Sequence, residues 1–407
     1  MTDALDRSFA SLRIPNYRRF FVGQLVSVSG NWMQTVAEIW VVLTLTGSGV
    51  AVGVTTALQF LPMLLVGAWG GLIADRVAKR RLLVATQTLH MVPPLVLFAL
   101  AVSGELSAVA VFAVAFARGT VNAVDYPARQ AFVMEIVGAG RVVNAVSLNS
   151  VLIHSARIVG PAIAGVLIAT VGVEPCFALN AATFAVMIAA LVSMDQGALR
   201  PSETAPREAG AVRAGLRYVR ATPQLWIPLG LMAIVGTLGF NFQAILPLLA
   251  TFTFDGGASA YAALVTAMGL GAVVGALTNG ARGTVTPALL VGAAFGFGGL
   301  ALLAAGAPWI GLELLVLAPL GAASVTLAAS VNSALQLASE PTMRGRVMAL
   351  YSIVFLGTTP IGAPLAGWVS EQIDPRAALV MAGVSALVAG LLARAAFART
   401  SASSVAT

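Results

Sequence analysis

The chain has little of what enzymes use for chemistry. Its 407 residues include one cysteine, Cys176, and two histidines, His90 and His154. One cysteine excludes an internal disulfide and a cysteine-rich metal site. It reads as a small buried thiol. No metal-ligand cluster occurs, nor any Gly-rich loop ending in Gly-Lys-Ser/Thr, so no metal, cofactor or ATP hydrolysis is expected. Charge is scarce as well: 10% of residues are charged and 58% are hydrophobic. Soluble domains run near one quarter charged. With a mean hydropathy of +0.92, this chain could not cover itself with polar surface, so its solvent must largely be lipid. Acids are the scarcer sign, 16 against 23 bases for a net charge of +7. The bases sit in short loops between apolar runs, which reads as membrane topology and not as a nucleic-acid surface. The first 17 residues are polar and lack an apolar core before a cleavage site, so no secretory signal is expected.

Long apolar runs are abundant. A membrane-crossing helix needs roughly 20 mostly apolar residues. Twelve stretches qualify, at about 19–45, 50–73, 81–102, 106–128, 143–171, 174–193, 223–249, 258–280, 286–305, 309–337, 346–370 and 376–396. Turn signals such as Thr46-Gly47-Ser48-Gly49 and Asp374-Pro375 separate them. Counting crossings sorts the loops into two sets. One holds Arg7 to Arg19, Asp75 to Arg81, Arg129, Arg141, Arg282, Arg344 and Arg346; the other holds Glu105, Glu174, Asp255, Glu371 and Asp374, with Arg376 its only base. That split places both termini in the cytoplasm. The expected organisation is a first membrane unit at 1–194, a polar linker at 195–222 and a second unit at 223–407. The second half of the linker has Val212, Leu216 and Val219 on one helical face and Arg213, Arg217 and Arg220 on another. Such a helix is expected to lie on the anionic lipid surface, with a regulatory contact as the alternative. The halves also repeat. Gly140-Arg141-Val142 returns as Gly345-Arg346-Val347, offset by 205 residues, and Gly160-Pro161 to Gly165 returns as Gly362 to Gly367, offset by 202.

Four groups of residues carry candidate chemistry. The first is the corner Gly71-Leu72-Ile73-Ala74-Asp75-Arg76-Val77-Ala78-Lys79-Arg80-Arg81, which sets one acid among several bases between two spans. Asp125, near the end of the fourth span, is the expected partner for a base of this corner. The matching place in the second half has Asn279 where an acid would stand. The alternative is a topology signal alone. The second group is Gly160, Pro161 and Gly165, where proline removes a helical hydrogen bond and glycine admits a neighbouring helix. The third comprises Glu38, Arg118 and Arg157. An ionisable group at mid-membrane costs at least about 2.5–3.5 kcal/mol, so it faces a cavity or a partner. Glu38 is the candidate for proton coupling or substrate binding, with Arg118 and Arg157 to hold its charge or bind an anionic solute; a structural ion pair is the alternative. His90 and His154 read as hydrogen-bonded structural residues, although proton relay is open to both. The fourth group is polar and aromatic: Asn31, Gln34, Asn241, Gln243, Asn332 and Gln336 are costly facing lipid and are expected to line a cavity, with Phe240 interleaved beside Asn241. Such a lining suits a large amphipathic organic solute.

Several of these stretches together resemble one family. They are Asn16-Tyr17-Arg18-Arg19-Phe20, Gly30-Asn31-Trp32-Met33-Gln34, Leu45-Thr46-Gly47-Ser48, Ala74-Asp75-Arg76, Pro127-Ala128-Arg129, Gly160-Pro161 and Gly215-Leu216-Arg217-Tyr218-Val219-Arg220. They are similar to the major facilitator superfamily, in its drug:proton antiporter group 3. That branch includes the enterobactin exporter, macrolide-efflux proteins and the transmembrane secretion effector family. The resemblance covers nearly the whole chain and departs at Ala78, where the family has a second glycine. It implies an all-α membrane protein with twelve transmembrane helices in two six-helix bundles, related by a pseudo-two-fold along the membrane normal. It also implies that Gly71, Asp75, Arg76, Arg80 and Asp125 form a conformational latch, and that Gly160-Pro161 belongs to an antiporter-type helix. The implied activity is proton-driven export of a drug, antibiotic or siderophore from a bacterial cytoplasm. The partners are then a small-molecule substrate, protons and membrane lipid. A monomer suffices for the fold. Proton-coupled uptake is the rival reading; a non-transporting scaffold or sensor is the third. No enzyme signature is evident.

Overall fold

A computed structural model describes residues 10–200, 211–280, 286–340 and 342–405. Arg7, Arg282 and linker residues 201–210 lie outside the described residues. All regular structure among the described residues is helical. In chain order the helices are α1 Pro15–Thr46, α2 Gly49–Arg76, α3 Lys79–Ser103, α4 Ala108–Val137, α5 Val142–Thr170, α6 Glu174–Val192, α7 Ala211–Ala221, α8 Pro223–Leu238, α9 Phe242–Leu248, α10 Ala258–Gly280, α11 Pro287–Ala305, α12 Ile310–Ala338, α13 Arg344–Leu356, α14 Thr359–Gln372 and α15 Pro375–Val405. Eleven segments among the described residues are long and apolar enough to cross a membrane. Helix α1, with 32 residues, is not one of them. It carries Arg18, Arg19, Gln24, Asn31, Gln34 and Glu38, and this polarity lowers its hydropathy without breaking it.

Two expected spans are each built from two helices. The stretch 223–249 breaks at Gly239-Phe240-Asn241 between α8 and α9, then runs into a π-helical turn over Leu249–Thr253. The stretch 346–370 breaks at Gly357-Thr358 between α13 and α14, where Pro360 opens the second helix. Proline at the start of a helix loses no hydrogen bond it would otherwise make. The turn between α1 and α2 uses Gly47 at φ 62°, a left-handed conformation that glycine adopts without strain.

The chain divides into two compact units. One holds Met1–Thr46 and Leu61–Ala205, the other Gly47–Phe60 and Pro206–Thr407. The boundary therefore falls inside α2. In the first unit, Tyr17, Phe20, Leu83, Phe132, Met187 and Leu191 share one buried apolar cluster. Tyr17 donates from its hydroxyl to the carbonyl of Ala145 at 2.9 Å. In the second unit, α10 and α12 approach at two glycines. A Cβ on Gly271 would lie 1.6 Å from the Ala318 carbonyl oxygen, and one on Gly321 would lie 2.0 Å from that of Met268. Small residues let membrane helices gain close packing where no hydrophobic force drives them together. The start of α2 packs on α14 in the same unit, and the Glu371 carboxylate accepts from the Val50 amide at 2.9 Å and the Ser48 hydroxyl at 2.7 Å. An anion suits these unsatisfied N–H groups.

The linker divides between the units. Residues 195–200 pack on the first: Asn16 donates to the Asp195 carbonyl at 2.8 Å, and the Arg200 amide donates to the Glu135 carbonyl at 2.9 Å. Helix α7 belongs to the second. Val219 is buried there, Leu216, Arg217 and Arg220 are exposed, and the Tyr218 hydroxyl accepts from the Glu340 amide at 3.2 Å.

Candidate functional site: a buried charge cluster in the first unit

Glu38 is the centre of a network drawn from three helices. It lies on α1 with 0% exposure. Arg118 of α4 donates from Nη1 to its Oε2 at 2.5 Å. Gln34, one turn earlier on α1, donates to Oε1 at 2.6 Å. Asn180 of α6 in turn donates to the Gln34 side-chain oxygen. The other Arg118 nitrogen, Nη2, lies 3.4 Å from the Thr35 hydroxyl and 3.5 Å from the Asn31 side-chain oxygen. Asn31, Thr35 and Glu38 share one face of α1 because they lie three or four residues apart. Arg118 is thus shared among three residues of a single helix. Its Nε remains buried without a hydrogen-bond partner.

The third charge of the expected group has a different partner. The Arg157 guanidinium sits over the Trp32 ring, 4.8 Å from the centroid, and its Nε is buried without a partner. Its neighbour Gly160 marks where α5 meets α1, since a Cβ there would lie 2.5 Å from the Ser29 carbonyl oxygen. Helix α5 runs on unbroken through Pro161 to Thr170, with Gly165 buried. Close packing of α5 on α1 therefore places Trp32 beneath Arg157.

The Asp75 corner is organised differently from the expectation. Asp125 does not pair with a base of the corner. Its carboxylate is held by Arg129 of its own helix, by the Thr86 hydroxyl at 2.6 Å and by the Gln87 amide at 2.8 Å. Arg129 lies one helical turn from Asp125, so this pair is made within a single helix. The corner bases have other partners. Lys79 pairs with buried Glu135 at 3.6 Å. Arg80 donates to the carbonyls of Leu191 and Val192, both at 2.7 Å, and Arg19 donates to that of Ser193 at 2.7 Å. Two arginines thus satisfy the exposed carbonyls at the C-terminus of α6, the end where cations are favoured. Asp75 is half-buried, Arg76 is exposed, and Gly71 is buried. Beside Gly71, Gly70 brings α2 onto α4: its Cβ would lie 2.0 Å from the Ala123 carbonyl oxygen. In the second unit, Asn279 donates to the Thr326 hydroxyl at 3.2 Å, a neutral bond between α10 and α12.

The two histidines do not meet the expectation of hydrogen-bonded rings at Nδ1, which is buried without a partner in both. Stacking supports His90 instead, with its ring 5.3 Å from that of Phe184 and nearly parallel.

In the second unit the polar and aromatic candidates fall into two places. Phe240, at the break between α8 and α9, meets Phe297 and Phe355 edge to face at 5.2 and 6.1 Å. Phe355 stacks on Tyr351 at 5.6 Å. Asn241 is buried, its amide donates to the Thr237 carbonyl at 2.7 Å, and its own oxygen has no partner. Gln243 is half-buried on α9. Asn332 and Gln336 pair with each other along α12 at 2.6 Å, and Gln336 is exposed. Sequence reasoning missed Asn180, Glu135 and Glu313. Asn180 was detectable as a lone amide within an apolar span. No ion-binding cluster of three or more His, Cys, Asp or Glu occurs among the described residues.

Residues 6–405 match the transmembrane secretion effector family. The chain belongs to that family. It is 26% identical to the enterobactin exporter of Citrobacter koseri over 389 residues, covering 93% of this chain and 91% of that one. It is also 26% identical to the staphyloferrin A transporter of Staphylococcus aureus over 262 residues, a match spanning 63% of this chain and 65% of the relative's length. Among solved structures, a variant of the nucleoside transporter NupG superposes with a TM-score of 0.75 at 14% identity, covering 94% of this chain and 99% of that one. At that identity the likeness speaks for the fold alone. The chain is a multi-pass inner-membrane transporter of the major facilitator type, and not an enzyme.

Proposed function

We propose that this transporter exports a small amphipathic organic compound, of the drug, antibiotic or siderophore kind, in exchange for protons. Its relatives include an enterobactin exporter and a staphyloferrin A transporter, which favours a siderophore-like cargo. On this reading α1 is a twelfth crossing, the two halves are six-helix bundles joined by the linker 195–222, and both termini are cytoplasmic. Helix α7, with exposed Arg217 and Arg220, lies against the lipid surface. Asp75 and Arg76 act as the state latch at the corner between α2 and α3. Alternating access moves the cargo past a lining that includes Asn31, Gln34, Phe240, Asn241, Gln243, Asn332 and Gln336.

The observation that carries the proposal is the Glu38–Arg118 pair. A charge pair at 0% and 6% exposure is expensive to maintain inside a membrane protein. A group that gains and loses a proton gives it a use: protonating Glu38 frees Arg118 to receive an anionic part of the cargo. Deleting the gene is expected to lower the siderophore released to the medium, or to raise susceptibility to an amphipathic antibiotic. Unchanged release and unchanged susceptibility across such a panel would count against export.

A further inference from the structure

Glu313 stands alone among the buried acids of the described residues. It lies in the first turn of α12 with 0% exposure. Both carboxyl oxygens are buried and neither has a hydrogen-bond partner. Each other buried acid has a bonded cation: Glu38 has Arg118, Asp125 has Arg129, and Glu135 has Lys79.

The surroundings supply one charge. Arg376, in the first turn of α15, is close enough to act on Glu313 electrostatically but does not bond to it. Its Nη2 donates instead to the Ala307 carbonyl at 2.7 Å, and its backbone amide donates to the exposed Asp374 carboxylate at 2.7 Å. Its Nε is buried without a partner. The helices packed on α12 offer nothing else ionic at this end. Helices α8, α10 and α11 contain no Asp, Glu, Lys, Arg or His, and Tyr261 of α10 is the titratable group they contribute near their outer ends. The arginines of α13, Arg344 and Arg346, lie at the opposite end of α12, where Arg344 donates to the Gln336 carbonyl at 3.1 Å.

An anion with neither oxygen bonded loses its hydration and gains no hydrogen bond in return, whereas a neutral acid tolerates such a place far better. The neighbouring arginine is positioned to receive the anion once it forms. We propose that Glu313 is a proton-binding site of the second unit: it holds a proton while it stands apart from Arg376, and releases it to form an ion pair with that residue. On release the O–H bond breaks, the proton passes to water, and the guanidinium neutralises the carboxylate. Each unit then has a carboxylate–arginine couple that joins two helices, closed at Glu38–Arg118 and open at Glu313–Arg376. As a step in export, this site rests on the proton-driven reading above; as a proton site, it stands independently.

The test uses the full chain in lipid. Dicyclohexylcarbodiimide adds to protonated carboxyls in apolar surroundings and spares carboxylates. Peptide mass spectrometry is expected to find the adduct on Glu313 and not on Glu38, falling as pH rises. The infrared spectrum should hold a protonated-carboxyl band that Glu313→Gln removes, which decides the matter where the reagent does not reach. No adduct on Glu313 at any pH, with no band lost in Glu313→Gln, would overturn the site. Arg376→Met should keep Glu313 labelled to higher pH; an unchanged pH profile would overturn the ion pair. In proteoliposomes, Glu313→Gln is expected to lower pH-gradient-driven export about tenfold or more, while substrate counterflow persists. Adduct on Glu313 in a wild type whose export ignores the gradient would leave the proton site standing and refute antiport. A missing adduct and band with normal gradient-driven export would do the reverse.

Discussion

Arg118→Met is expected to destabilise the folded protein by about 3–5 kcal/mol, because it removes one partner of a buried ion pair. Glu38 would remain with 0% exposure, its carboxylate still accepting from Gln34 but without its cation. Adding Glu38→Gln to Arg118→Met should recover most of the stability, since replacing both partners of a buried pair is often neutral. Thermal unfolding of the detergent-solubilised protein reads all three variants. A single variant as stable as wild type would show that the pair adds nothing to the fold. A double variant no better than the single would show that Arg118 acts through Thr35 and Asn31 and not through Glu38.

The second large effect is on transport. Glu38→Gln keeps the shape of the side chain and can still accept from Arg118. It cannot change charge. The folded variant is therefore expected to bind and counterflow substrate while losing pH-gradient-driven export by about tenfold or more. Its double-mutant interaction with Arg118 should be non-additive, as for any pair in contact. A Glu38→Gln protein with an intact response to the gradient would make the pair structural.

Much of this architecture was legible from the pattern of apolar runs, because lipid forces every buried backbone group into a helix. The breaks at Gly239-Phe240-Asn241 and Gly357-Thr358 were not, since they fall inside apolar stretches where composition gives no boundary. Glu38 and Arg118 could be singled out as charges within spans, yet their pairing depends on how α1 packs on α4. Gln34 and Asn31 were legible as polar residues on α1; Asn180, which completes the network from α6, was passed over. At the corner, Asp125 was the expected partner for one of several bases. The local geometry of one helical turn won, and Arg129 took the carboxylate. Arg80 was free to cap α6, a role invisible without knowing where that helix ends. Glu313 was passed over in the sequence, and its burial without a bond is what sets it apart.

Proton-coupled export is tested most directly in sealed proteoliposomes loaded with a siderophore-type substrate under an imposed pH gradient. Substrate should move against the direction of proton flow, in proportion to the gradient, and stop when an ionophore collapses it. Movement in the same direction as the protons, or movement indifferent to the gradient, would contradict antiport.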